Sequence, residues 1–142
     1  MDLIINGVKL EGDLMDVDFM DKFEAGMLKM RDTAQASRAE KFPSAAACYR
    51  AQCEAIRACF DDIFGPGTAV KLFGEKMNVM DHMKAIEAVS KWSVDSRKAL
   101  NDFTNRYTQR QNNAAAQQRR QAQQQTAQFV SSKHGPSHKH RN

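Results

Sequence analysis

Three cysteines, four histidines and one adjacent pair of acids are the first candidates for chemistry in this 142-residue sequence. Cys48, Cys53 and Cys59 are spaced five and six residues apart, which matches no common zinc pattern of close cysteine pairs joined by further ligands. On a helix turning about 100° per residue, Cys53 points about 140° away from Cys48, while Cys59 returns to within about 20° of it several turns on. No two of them can bond within one helix, and they read as small buried hydrophobes. Their odd number and clustering argue against a disulfide framework and for a reducing cytoplasm. His134, His138 and His140 fall within seven residues near the C-terminus, where neutral imidazoles could hold a metal weakly. That segment is basic and has no second shell to orient ligands, so no specific metal or cofactor is expected. His82 stands alone and reads as a partly exposed surface histidine. Asp61-Asp62 is expected at a helix C-terminal end, where the helix dipole disfavours negative charge, so a cationic neighbour is anticipated there. The sequence holds no glycine-rich phosphate loop, no nucleophile elbow and no HExxH zinc motif. The chain is read as a non-enzyme.

Methionine usage points elsewhere. Eight methionines is a high number for this length. Met20, Met27 and Met30 fall on one expected helix, and Met77, Met80 and Met83 recur every three residues at the start of another. Flexible thioethers suit apolar surfaces that adapt to helical partners, and these six are the candidate partner-binding residues, with ordinary core filling as the alternative.

Charge divides the chain. The net charge is +4, yet residues 106–142 carry seven basic residues and no acid, which leaves residues 1–105 at −3. The pI near 9.1 therefore describes the tail. Arg106, Arg110, Arg119 and Arg120 could neutralise phosphates, with Tyr107 the only interleaved aromatic. The competing reading, which is favoured, is a solvated linker or a segment that folds onto a protein partner.

The elements that must position these residues follow from periodicity and punctuation. Leu3-Ile4-Ile5 and Val8-Lys9-Leu10 flank Asn6-Gly7, a dipeptide that tolerates positive φ at both central positions of a type I′ turn, so an N-terminal hairpin is expected. Asp18 is expected to cap a first helix whose stripe is Phe19, Phe23, Met27 and Met30, fading over residues 33–37. Pro43 is placed in the first turn of a second helix with the stripe Tyr49, Cys53, Ile56, Phe60 and Ile63, closed by a left-handed Gly65 and by Pro66. Residues 68–73 form one or two helical turns. Asn78 caps a third long helix with Asp81 at its third position and with Val79, Met83, Ile86 and Val89 as its apolar face. Trp92, Ala99 and Phe103 are expected to continue burial beyond it. Nine glutamines between residues 109 and 128 suggest a helical extension that frays into disorder, with a disordered end over residues 131–142. The expectation is a mainly α fold, with an N-terminal hairpin and about three helices over residues 1–105, followed by a basic Gln-rich extension over residues 106–142. Mean hydropathy is −0.64, and no run approaches the roughly 20 apolar residues a spanning helix requires. The short apolar run at residues 3–5 has no basic residue before it, unlike a secretory signal.

Three stretches carry a family resemblance: Ile5-Asn6-Gly7-Val8-Lys9-Leu10-Glu11, Phe60-Asp61-Asp62-Ile63-Phe64-Gly65 with Gly67-Thr68, and residues 71–79, Lys-Leu-Phe-Gly-Glu-Lys-Met-Asn-Val. Over residues 3–95 the chain resembles small proteins encoded among the tail genes of phages and prophages of Gram-positive bacteria and treated as tail assembly chaperones. The resemblance implies a non-enzymatic chaperone in the host cytoplasm. It would coat the long, apolar tape-measure protein while tail-tube subunits assemble around it, with the tube protein or further copies of the chain as additional partners. Structural virion protein and nucleic-acid-binding accessory protein are the alternatives.

Overall fold

The computed structural model describes residues 2–39 and 41–134, with side chains through residue 126 apart from Ala39. The hairpin pairs β1 (Leu3–Ile5) antiparallel with β2 (Val8–Leu10), placing Leu3 opposite Leu10 and Ile5 opposite Val8. Asn6 and Gly7 have φ of 51° and 76°, the two positive values that the turn demands. Alternation sends Leu3, Ile5 and Leu10 into the core and leaves Ile4 exposed. Two short strands are marginal alone. They are held by this apolar face and by Asn6, whose Nδ2 donates to the Leu72 carbonyl at 3.0 Å.

Helix α1 (Val17–Ala39) is capped by Asp16, not Asp18. The Asp16 Oδ1 accepts from the backbone N–H groups of Asp18 at 2.9 Å and Phe19 at 3.3 Å. Asp18 instead places its charge in the first turn, where the dipole favours it. The helix does not fade over residues 33–37. The Thr33 and Ser37 hydroxyls bond back to carbonyls one turn earlier, so these polar side chains do not compete with the helical ladder. Helix α2 (Ala45–Phe64) starts at the N-cap Ser44, whose Oγ accepts from Ala47 N–H at 3.1 Å. Pro43 thus precedes the cap and lies outside the first turn. The α2 stripe is buried at Cys53, Ile56, Cys59, Phe60 and Ile63, while Tyr49 is 52% exposed, so burial begins a turn later than expected.

Gly65 terminates α2 with φ 109° and ψ 157°, an extended positive-φ conformation outside the left-handed helical region, and Gly67 is the left-handed residue. Both demand glycine. Helix α3 (Thr68–Phe73) follows, its first turn capped from a distance by Asp61, whose Oδ1 accepts from Ala69 N–H at 2.9 Å. Helix α4 (Val79–His134) starts at Asn78, which accepts from Asp81 N–H at 3.0 Å as its sequence indicates.

The buried face of α4 is His82, Ala85, Val89 and Trp92. It is rotated from the expected stripe: Val79 and Ile86 are only half-buried, and Met83 is 52% exposed. The aromatic residues set this rotation. Trp92 packs its ring 6.2 Å from each of Phe19, Phe23 and Phe64, and Phe60 joins them by stacking on Phe64 and meeting Phe73 edge-on. Rings this large carry more buried area than the aliphatic residues on the neighbouring face and decide which side of α4 turns inward.

The chain divides into two units, residues 1–97 and residues 98–142. In the second, α4 is helical through the whole Gln-rich stretch to His134, where the sequence suggested fraying. Its described side chains are exposed except the half-buried Ala116. Ala99 and Phe103 (61%) are therefore not core residues. The side chain of His134, and His138 and His140 altogether, lie outside the described residues. Among those residues no helix is long and apolar enough to cross a membrane.

Candidate functional site

α1 and α2 run antiparallel, and a cleft opens between them. Gly26 of α1 faces Ile63 of α2. A Cβ on Gly26 would stand 2.7 Å from Ile63 Cγ1, so only hydrogen fits there. Further along the pair, the facing residues are small: Ala34 and Ser37 on α1, Cys48, Ala51 and Ala55 on α2. Short side chains leave space between backbones that longer ones would fill. The result is a cleft of about 340 Å³, floored by Ile56, flanked by Met30 from α1 and by Met83 and Ile86 from α4, and bordered by Arg31 and Arg38. Arg31 lies 3.7 Å from Asp32, with both side chains well exposed. Arg38 forms no ion pair among the described residues. A second hollow of about 300 Å³ shares Met30, Ser37, Ala51 and Ala55 but is bordered by Lys29, Glu54 and Asp62. The anticipated cation beside the acidic pair is Lys29, which bridges to Asp62 at 3.5 Å, while Asp61 is engaged with α3.

The six methionines do not form one surface. Met30 and Met83 both line the cleft, from helices far apart in sequence. Met20 and Met27 pack against the core, and the Cys59 Sγ–H donates to Met27 Sδ at 3.8 Å. Met77 and Met80 are 36% and 58% exposed and do not line the cleft. The contributions of Arg31, Arg38 and the alanines were not read from the sequence. The available signal was the run of small residues at steps of three and four on both helices.

His82 departs furthest from expectation. It is fully buried, not a surface histidine. Its ring lies parallel to Phe73, its Nδ1 is 2.6 Å from the Asn78 carbonyl, and its Nε2 is 3.4 Å from Arg57 Nη1. One tautomer satisfies both contacts: Nδ1–H donates to Asn78 and Nε2 accepts from Arg57. Arg57 also donates to the carbonyls of Gly74 and Lys76, tying the α3–α4 connection to α2. Burial pushes the His82 pKa down, opposed by the Asn78 hydrogen bond and reinforced by the Arg57 charge. The neutral ring is a structural acceptor.

All three cysteines are free, with Cys53 and Cys59 buried and Cys48 half-buried. Burial raises the Cys53 thiol and pushes Cys59 up to about 11, so both stay protonated near neutral pH and are poor nucleophiles. Among the described residues no three metal-ligating side chains converge. Arg106, Arg110, Arg119 and Arg120 are exposed on α4.

A model of a family of unknown function, DUF6673, matches residues 6–134, and the chain belongs to that family. No curated protein and no solved structure matches it.

Proposed function

We propose that the chain is a non-enzymatic tail assembly chaperone of a phage or prophage, acting in the host cytoplasm. In this reading the cleft between α1, α2 and α4 receives apolar side chains from a helix of the tape-measure protein. The observation that supports it most is that Met30 and Met83, from different helices, both line a cleft of about 340 Å³ whose other walls include Ala34, Ala51, Ala55, Ile56 and Ile86. Unbranched thioethers repack around differing side chains, which suits a client with many similar but non-identical helical segments. A helix laid in a groove anchors through residues spaced three and four apart, matching a cleft bounded by helical ridges. The resemblance in the hairpin and in residues 60–79 supports the phage assignment. Tail-tube protein and further copies of the chain are secondary partners in this reading.

The test is co-purification of the full chain with a long helical tape-measure fragment. Capture is expected with the native chain and lost with Met83→Glu, which sets a charge at the cleft mouth. Failure to bind any such fragment would remove the proposal. Mass spectrometry of purified particles separates chaperone from building block: a chaperone is absent from mature virions, and its presence at stoichiometric copy number would make the chain a virion component.

A further inference from the structure

The basic extension is a second candidate surface, independent of the cleft. We propose that residues 106–124 of α4 form a binding face for double-stranded DNA. As a disordered tether, the arginines there would share no geometry. Helical through this stretch, they do. At about 100° per residue, Arg106, Arg110, Asn113, Gln117, Arg120 and Gln124 fall within an arc of about 80° along a length of about 27 Å, whereas Arg119 points about 140° from its centre. The described side chains of this face are all exposed, so none is committed to a core.

The composition of the arc specifies the ligand. Residues 103–142 contain no acid, and Asp102, one turn before Arg106, bounds the face without forming an ion pair to it among the described residues. Three guanidiniums complement phosphates, and guanidiniums and carboxamides are the groups that read guanine and adenine edges in the major groove. That groove is wide enough for a single exposed helix. Single-stranded nucleic acid fits less well, because it calls for stacking aromatics. The candidate aromatic, Tyr107, lies off the arc with its hydroxyl accepting from Gln111 Nε2 at 2.8 Å. An acidic protein partner would use the arginines but leave the row of carboxamides without a role.

The experiment is fluorescence anisotropy of the full-length protein with a mixed-sequence duplex of about 30 base pairs. The native chain is compared with Arg106→Gln/Arg110→Gln/Arg120→Gln and with Arg119→Gln, after circular dichroism shows equal helix content. Neutralising three phosphates predicts a triple-variant salt dependence shallower by about 2.7 in log–log slope, equivalent to a native affinity that falls about 40-fold more between about 50 and about 200 mM salt. Arg119→Gln is expected to change binding by less than any single arc substitution. Gln117→Glu, which keeps a helix-compatible residue but adds repulsion, is expected to weaken binding more than Gln118→Glu, off the arc. No binding to duplex DNA overturns the proposal. So does loss with Arg119→Gln equal to that of the arc variants, or binding to polyglutamate or to single strands as tight as to duplex.

Discussion

His82 and Phe73 stack face to face, with ring centroids 3.8 Å apart and planes 16° from parallel, so a histidine serves as an aromatic core residue. The imidazole joins the start of α4 to the end of α3, and its two nitrogens tie that junction to Asn78 and Arg57.

A pH dependence follows from this pair. A base whose folded-state pKa lies below its unfolded value of 6.5 binds protons more readily when unfolded. Its stabilising contribution is complete above that unfolded value and is lost as pH falls from there through the folded-state pKa. Protonation would set an imidazolium against Arg57 and cost Nε2 its acceptor role. The melting temperature is expected to fall between about pH 7 and pH 5, and the fall is expected to be smaller in His82→Gln. Parallel profiles for both proteins would show that His82 is not the sensor.

Gly26 offers a test in which local propensity and packing oppose each other. Alanine would favour the isolated helix by up to ~1 kcal/mol. Its Cβ, however, would meet the buried Ile63, with Cγ1 at 2.7 Å and Cδ1 at 3.1 Å. Overpacking typically costs about 1–3 kcal/mol, so Gly26→Ala is expected to be net destabilising in urea denaturation. Combined with Ile63→Ala it should show a coupling energy above about 0.5 kcal/mol.

Asn6 performs two tasks that substitutions can separate. Glycine keeps the positive φ but removes the amide that donates to Leu72. Asn6→Gly is therefore expected to cost about 0.5–1.5 kcal/mol, the net worth of one hydrogen bond. Asn6→Ala loses the donor and also strains the turn, and should cost more. Equal losses would mean that the turn conformation contributes little.

Two phenylalanines calibrate the core. Phe60 is 1% exposed and Phe103 is 61% exposed. Phe60→Ala is expected to lose about 3–5 kcal/mol and Ile56→Asp to prevent folding. Phe103→Ala should stay within about 0.5 kcal/mol of the native chain. A comparable loss at Phe103 would reveal a partner for the exposed part of α4.

Filling the cleft should separate binding from stability. Ala51→Phe occupies space that is empty between α1 and α2, while Ala122→Phe places the same ring on the exposed helix. The first is expected to reduce capture of a helical client at least tenfold with the melting transition retained, and the second to leave capture unchanged. Undiminished capture by Ala51→Phe would move the client site elsewhere.

Much of the local structure is legible along the chain. Asn6-Gly7 specifies the hairpin turn because few other dipeptides accept two positive φ angles. Cys53, Ile56, Phe60 and Ile63 specify the inward face of α2 because they recur at helical spacing while Gln52, Glu54, Arg57 and Asp61 lie off that stripe. Asn78 with Asp81 marks the start of α4. The rotation of α4 is not legible, since apolar residues occur on more than one of its sides, and His82 counts as polar until Phe73 is found beneath it.

The sequence alone determined the hairpin, the presence of the helices though not where α1 and α4 end, where the turns fall, and how charge divides between body and extension. These depend on backbone preference and on residues within a few positions of each other. Tertiary structure decided which two of six methionines share a cleft, that small residues on α1 and α2 leave a hollow, and that Asp61 caps a helix other than its own. Each of these is a meeting of groups distant in the chain. Their distances depend on how whole helices seat around the Trp92 aromatic cluster, a property of summed packing that no short window of residues contains.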